Sequence, residues 1–194
     1  MEFGKVAYQG KTSKGKELII RYPNKDDAQL MREYINTLSE ERTFIRFQGE
    51  KVSLEEETKY LNSQLERIRK KETVHLLVLS NNKIIGISSI DMKDRVNKHV
   101  GEFGISIAKD YRGEGLGTLL MKFVVDEAVK NIPQLEIITL GVFSNNSLAI
   151  EMYRKFGFVE YGDLPNGVKF GDKYVDHIYM YKLVKNQSVK SSLQ

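Results

Sequence analysis

The segment Tyr111-Arg112-Gly113-Glu114-Gly115-Leu116-Gly117-Thr118 constrains this chain more than any other stretch. It joins a strand-patterned run, Val100–Ala108, to an amphipathic run in which Leu119, Leu120, Phe123, Val124, Ala128 and Val129 recur at helical spacing. The first N–H groups of a helix have no internal partner, and the peptide dipoles make that end positive. Glycines let such a turn take positive φ and let a ligand approach the backbone, so a strand–glycine loop–helix unit suits an anion. The plainer reading is a tight connection and nothing more. Two sharper readings are tested by spacing. A P-loop needs Gly-Lys before its Ser or Thr, whereas Thr118 follows Gly117 directly. A dinucleotide fingerprint needs its third glycine one residue later, and an acid at the end of the next strand; Glu136 stands at that strand's beginning.

The rest of the chain reads as strands mixed with helices. Glu17–Tyr22 is a strand closed by Pro23, and Asn24 is placed to cap a helix through Ala28, Met31, Tyr34, Ile35 and Leu38. Ser53-Leu-Glu-Glu56 is a capping box that opens a second helix, with Leu54, Thr58, Leu61, Leu65 and Ile68 on one stripe. Val74–Leu79, a turn at Asn81-Asn82, Lys83–Asp91 and Val100–Ala108 form an antiparallel meander. After the glycine loop and its helix come a strand at Leu135–Phe143, a helix at Asn146–Phe156 and a strand at Phe158–Gly162. A loop, Gly162–Gly171, then leads to a last strand, Lys173–Val184. The fold class is therefore α/β or α+β around a mixed sheet, in one domain over residues 1–185 with a polar tail at 186–194.

Composition excludes several chemistries. With no cysteine among 194 residues there is no disulfide, thiolate metal site or cysteine nucleophile. His75, His99 and His177 have no metal-ligand spacing, so no metal is expected. The net charge of +4 is mild and scattered, which argues against a nucleic-acid partner. No apolar run reaches membrane-spanning length, and the chain starts without an apolar leader, so no membrane partner and a cytoplasmic location are expected.

The loop in the form Arg112-Gly-Glu-Gly115-Leu-Gly117, followed by Asn146-Ser-Leu-Ala149-Ile-Glu-Met-Tyr153-Arg-Lys-Phe156-Gly157-Phe158, resembles the GNAT superfamily of N-acetyltransferases. The likeness runs over about Val74–Lys182 and is closest to the branch of ribosomal-protein and small-amine acetyltransferases. It implies a GNAT-like, mostly antiparallel sheet flanked by about four helices, and acetyl-coenzyme A as co-substrate. By position, Ile105, Ser106 and Ile107 would bind the pantetheine arm through their backbone. Arg112, Gly113, Glu114, Gly115, Leu116, Gly117 and Thr118 would hold the pyrophosphate, and Asn146 and Tyr153 would fix the cofactor near its sulfur. Tyr153 is the implied acid toward the leaving thiolate; as a residue of the Leu148–Met152–Phe156 stripe it also reads as core.

The implied base is where the pattern departs. The ribosomal-protein branch carries a glutamate twelve residues before the motif tyrosine, and here that position is Gly141. Glu102 is an alternative base; it reads equally as a solvated residue paired with Lys98 or Arg95. The acceptor would enter beside the Arg42–Phe47 and Lys169–Asp176 loops, where Arg42, Phe44 and Arg46 are candidate contacts or simple packing. Its amine is a protein N-terminus, a small amine or amino acid, or a polyamine drawn by Glu40, Glu41 and Glu50. A non-catalytic acyl-coenzyme A sensor stays open as a second class. A homodimer through the edge of Ile178–Leu183 is also possible on this reading.

Overall fold

The computed structural model describes residues 1–185, so the polar tail at 186–194 lies outside the described residues. Eight strands form one sheet: β1 (Val6–Lys11), β2 (Glu17–Arg21), β3 (Thr73–Ser80), β4 (Lys83–Met92), β5 (Val100–Ile107), β6 (Ile137–Phe143), β7 (Val159–Phe170) and β8 (Lys173–Leu183). Their order is β1-β2-β3-β4-β5-β6-β8-β7, and β5–β6 is the parallel pair in an otherwise antiparallel sheet. Four α-helices accompany it: α1 (Ala28–Glu40), α2 (Leu54–Arg69), α3 (Leu116–Asn131) and α4 (Ser147–Lys155).

The strand registers assign the two faces. Leu77, Ile87 and Ser106 pair across β3–β5, and the Tyr34 hydroxyl of α1 donates to Ser106 Oγ at 3.0 Å, so α1 and α2 cover that face. On the other face, Phe103 meets Tyr153 of α4 edge-on, and buried Tyr22 donates to Glu127 of α3 at 2.7 Å. The core fills both layers: Leu77 is buried with Met31, Leu38, Leu61 and Ile68 on the α1–α2 face, and Val78, Ile90 and Ile138 with Leu120 on the other.

Several local expectations are corrected. Asn24 does not cap α1; Asp27 stands at that cap, and its carboxylate instead takes a bidentate Arg21 pair and the Asn24 N–H. On α2 the capping box forms as read, but Leu54 and Thr58 are exposed while Glu57 and Gln64 are buried beside Leu61, Leu65 and Ile68. The Gly162–Gly171 segment, expected as a loop, is strand as far as Phe170. β7 runs through it because an edge strand tolerates Pro165, and a bulge between Leu164 and Val168 is absorbed by Asn166 at φ 55. The loop expected at Lys169–Asp176 is accordingly a β7–β8 hairpin with its turn at Gly171-Asp172. β8 lies between β6 and β7, so Ile178–Leu183 is not the sheet edge.

Candidate active site

The parallel pairing of β5 and β6 covers Val100↔Ile137, Gly101↔Ile138 and Glu102↔Thr139, and stops there. β5 continues to Ile107 and β6 to Phe143 without further pairing to each other, so the sheet opens as a V with Glu102 at its apex. The β5 arm carries Ile105, Ser106 and Ile107 and runs to the glycine loop.

Gly113 (φ 74) and Gly115 (φ 77) hold the left-handed backbone that turns the chain into α3, with Gly115 as the N-cap. A Cβ at either would meet nothing within 4 Å, so backbone conformation rather than crowding demands glycine there. The N-terminal amides of α3 at Leu116, Gly117 and Thr118 precede the first intrahelical bonds. The loop's two charged side chains turn away from this cradle. Arg112 donates to the Ile107 carbonyl at 2.8 Å and to Glu41 at 2.6 Å, tying α1 to the end of β5. The Glu114 carboxylate is buried against the β1–β2 turn, where Lys16 reaches it at 2.9 Å and Lys14 at 3.5 Å. Hydrogen bonds from Lys16 and Thr12 hold its carboxyl below the usual range. Lys16 also donates to the Asp110 carbonyl and lies 4.1 Å over the Tyr111 ring. The β1–β2 hairpin, of which only the second strand was legible in sequence, thus clamps the glycine loop.

Asn146 caps α4, its side-chain oxygen accepting from Ala149 N–H at 3.3 Å. The buried stripe of that helix is Ile150–Tyr153; Leu148 is 82% exposed, which corrects the expected Leu148–Met152–Phe156 stripe. Tyr153 packs on Phe103 at 5.9 Å and Phe158 at 6.1 Å, and burial pushes its hydroxyl up to about 12, so it stays protonated at neutral pH.

On the α1–α2 face, Glu102 is largely exposed with Lys93 at 3.8 Å, not paired with Lys98 or Arg95. Phe44 stacks on Phe170 at 5.3 Å and meets Phe143 at 6.2 Å, which brings the α1–α2 loop and the β7–β8 hairpin together at the open end of β6. Arg42, Gln48, Lys169, Phe170, Gly171 and Asp172 line a cavity of about 360 Å³ there; Arg46 is exposed and outside that lining. The acids expected to suit a polyamine are engaged elsewhere: Glu41 with Arg112, Glu40 with Lys51, and Glu50 with the Gln48 N–H. Among the described residues no group of His, Asp and Glu could hold a metal ion, and no helix is long and apolar enough to cross a membrane.

His177 lies on the same face as Glu102, paired with Phe143, and carries no sequence motif. Register alone puts it on this face, because β8 pairs with β6 only in the folded sheet.

Known proteins resemble this chain in sequence and in fold. The L-amino acid N-acetyltransferase AaaT of Escherichia coli is 29% identical over 109 residues, covering 56% of this chain and 67% of AaaT. A GNAT-family acetyltransferase from Streptococcus pneumoniae superposes with a TM-score of 0.79 at 31% identity, over 87% of this chain and all of that one. The yncA protein of Salmonella typhimurium, solved with its cofactor acetyl-CoA, superposes with a TM-score of 0.74 at 21% identity, over 90% of this chain and 98% of its own. The model of the acetyltransferase (GNAT) family matches residues 31–158, and with two thirds of its length in that match the chain belongs to this family of acyltransferases.

Proposed function

We propose that the chain transfers an acetyl group from acetyl-coenzyme A to the amine of a small acceptor carrying a carboxylate, such as an amino acid. The observation that carries this is the V between β5 and β6, with the amides of α3 at one end of it and Tyr153 below it. A thioester is already activated, so a neutral amine can attack it directly, and the protein's work is orientation and proton movement. The Leu116–Thr118 amides suit the pyrophosphate, and the backbone of Ile105, Ser106 and Ile107 suits the pantetheine amides. Glu102 supplies negative charge where the ammonium must approach and pulls on its proton; the Tyr153 hydroxyl donates to the departing sulfur.

Support for a small acceptor comes from the aromatic cluster Phe44–Phe143–Phe170, which narrows the acceptor side, and from Arg42 and Lys169 beside it as carboxylate partners. AaaT, by its name, acts on L-amino acids. The test is thiol release from acetyl-coenzyme A with a panel of L-amino acids, spermidine and an alanyl peptide. Turnover is expected with amino acids and should fall in Arg42→Ala through a higher KM. Glu102→Gln should lower turnover about a hundredfold with cofactor affinity unchanged. Tight cofactor binding without thiol release from any amine would instead support a sensor.

A further inference from the structure

The position of Gly141 on β6 is filled from another strand. Gly141 pairs with Tyr179 of β8, and two residues along β8 the His177 ring leans back over it. A Cβ built on Gly141 would stand 2.3 Å from His177 Nε2 and 2.8 Å from Cε1. Any residue but glycine would push the imidazole away. The ring sits on the same sheet face as Glu102: Glu102 is level with Thr139, and Gly141 is the next β6 residue on that face.

We infer that His177 is the group that takes up the proton shed by the acceptor ammonium, with Glu102 holding that ammonium at the apex of the V. The inference rests on the acetyltransferase reading above and adds a residue to it. The neighbours of His177 are mostly uncharged: Phe143 at 6.1 Å and Tyr179 at 4.6 Å between ring centroids, and Leu164 and Gly167 from β7. Glu102 is the charged group that faces it, with Lys93 beside that carboxylate; Asp91, level with Glu102 on β4, is held by Arg67 at 2.6 Å. Asp176 points to the other face, accepting from the Asn166 N–H. Among the described residues neither nitrogen of His177 has a hydrogen-bond partner, so a lone pair is free. Partial burial lowers its pKa and Glu102 opposes that, which leaves the ring neutral at pH 7 and able to accept.

The protons balance as follows. One proton of R–NH₃⁺ passes to His177 and then to solvent. The amine forms the C–N bond to the acetyl carbon and the C–S bond breaks. The second proton, lost from nitrogen as the amide forms, replaces the one that Tyr153 gives to the thiolate. The products are the N-acetyl compound, the free thiol and one solvent proton.

The experiment is a pH profile of kcat/KM by thiol release for wild type, His177→Asn, Gly141→Ala and Glu102→Gln, with cofactor affinity measured by calorimetry. Wild type should lose activity on the acid side with a midpoint below 6.5. His177→Asn should lose that limb and about a hundredfold in kcat, with the Kd for acetyl-coenzyme A unchanged. Gly141→Ala should reproduce the kcat loss by displacing the ring, and in Glu102→Gln the limb should survive and move to lower pH. Turnover of His177→Asn within twofold of wild type, or an unchanged acid limb, overturns the inference alone. No thiol from wild type with any amine overturns the acetyltransferase reading and this inference with it.

Discussion

Tyr153 shows what a single side chain contributes at this site. Its ring is closed between Phe103 and Phe158, which gives it a core role as well as the proposed acid role. Its helix stripe, Ile150 and Tyr153, differs from the one periodicity suggested, yet it sets the ring against Phe103, the residue after Glu102 on β5. The two roles separate in Tyr153→Phe, which keeps the ring packing and removes the proton. If the hydroxyl donates to the leaving thiolate as proposed, turnover should fall about a hundredfold while the melting temperature changes little, because the ring packing is kept. A fall in stability with unchanged kcat would return Tyr153 to the core. His177 marks the opposite limit of legibility. It lies 75 positions from Glu102 and 36 from Gly141 in sequence, without a motif, and only the order β5-β6-β8 assembles the three.

At the scale of elements, the glycine loop was readable because its signals are local: φ at Gly113 and Gly115, and a helix start. What steadies it was not, because β1 carries a weak pattern, VAYQGK, and becomes a strand only by pairing with β2. That hairpin delivers Lys16 to Glu114, a carboxylate that would otherwise lie buried and uncompensated inside the anion loop. Lys16→Met should therefore weaken acetyl-coenzyme A binding roughly fivefold by loosening the loop, with kcat at saturation near wild type. Calorimetry and saturation kinetics separate the two; equal affinity in the variant would make the clamp irrelevant to the cofactor. The same dependence on partners explains β7, where Pro165-Asn166-Gly167 reads as a turn in isolation. β8 supplies the hydrogen-bonding frame, with Asp176 accepting from the Asn166 N–H at 2.9 Å. The existence and order of helices α1 to α4 and of the β3–β5 meander need no such help, whereas the faces that α2 and α4 bury are set by the sheet they pack on.

Across the whole molecule, the α2–β3 layer carries an unusual load of titratable groups away from the V. His75 on β3 is fully buried, 6.2 Å from the Tyr60 ring, and neither of its nitrogens has a protein hydrogen-bond partner. Burial lowers its pKa to about 4, with Asp91 opposing. On α2, burial raises Glu57 to about 6. The signs follow from which state binds more protons. Between pH 6.5 and 4 the unfolded chain protonates His75 and the folded one does not, so stability falls as pH falls. From pH 7 to 5 that loss is about 2 kcal/mol. Glu57 acts the other way, because below pH 6 the folded state holds a proton that the unfolded chain binds less readily. Its smaller displacement offsets only part of the His75 effect. Urea unfolding at pH 7 and pH 5 should therefore show wild type losing stability on acidification and His75→Leu losing none to this pair, because Glu57 then acts alone. Glu57→Gln should steepen the loss, since the opposing group is gone. A wild-type midpoint that does not move between the two pH values would mean that the α2–β3 layer opens to protonation without unfolding. Because this layer lies at β3 and the proposed chemistry at β5, β6 and β8, the fold's acid sensitivity and the acid limb of catalysis should respond to different histidines. His75→Leu should shift the unfolding profile and leave the kcat/KM limb in place, and His177→Asn should do the reverse.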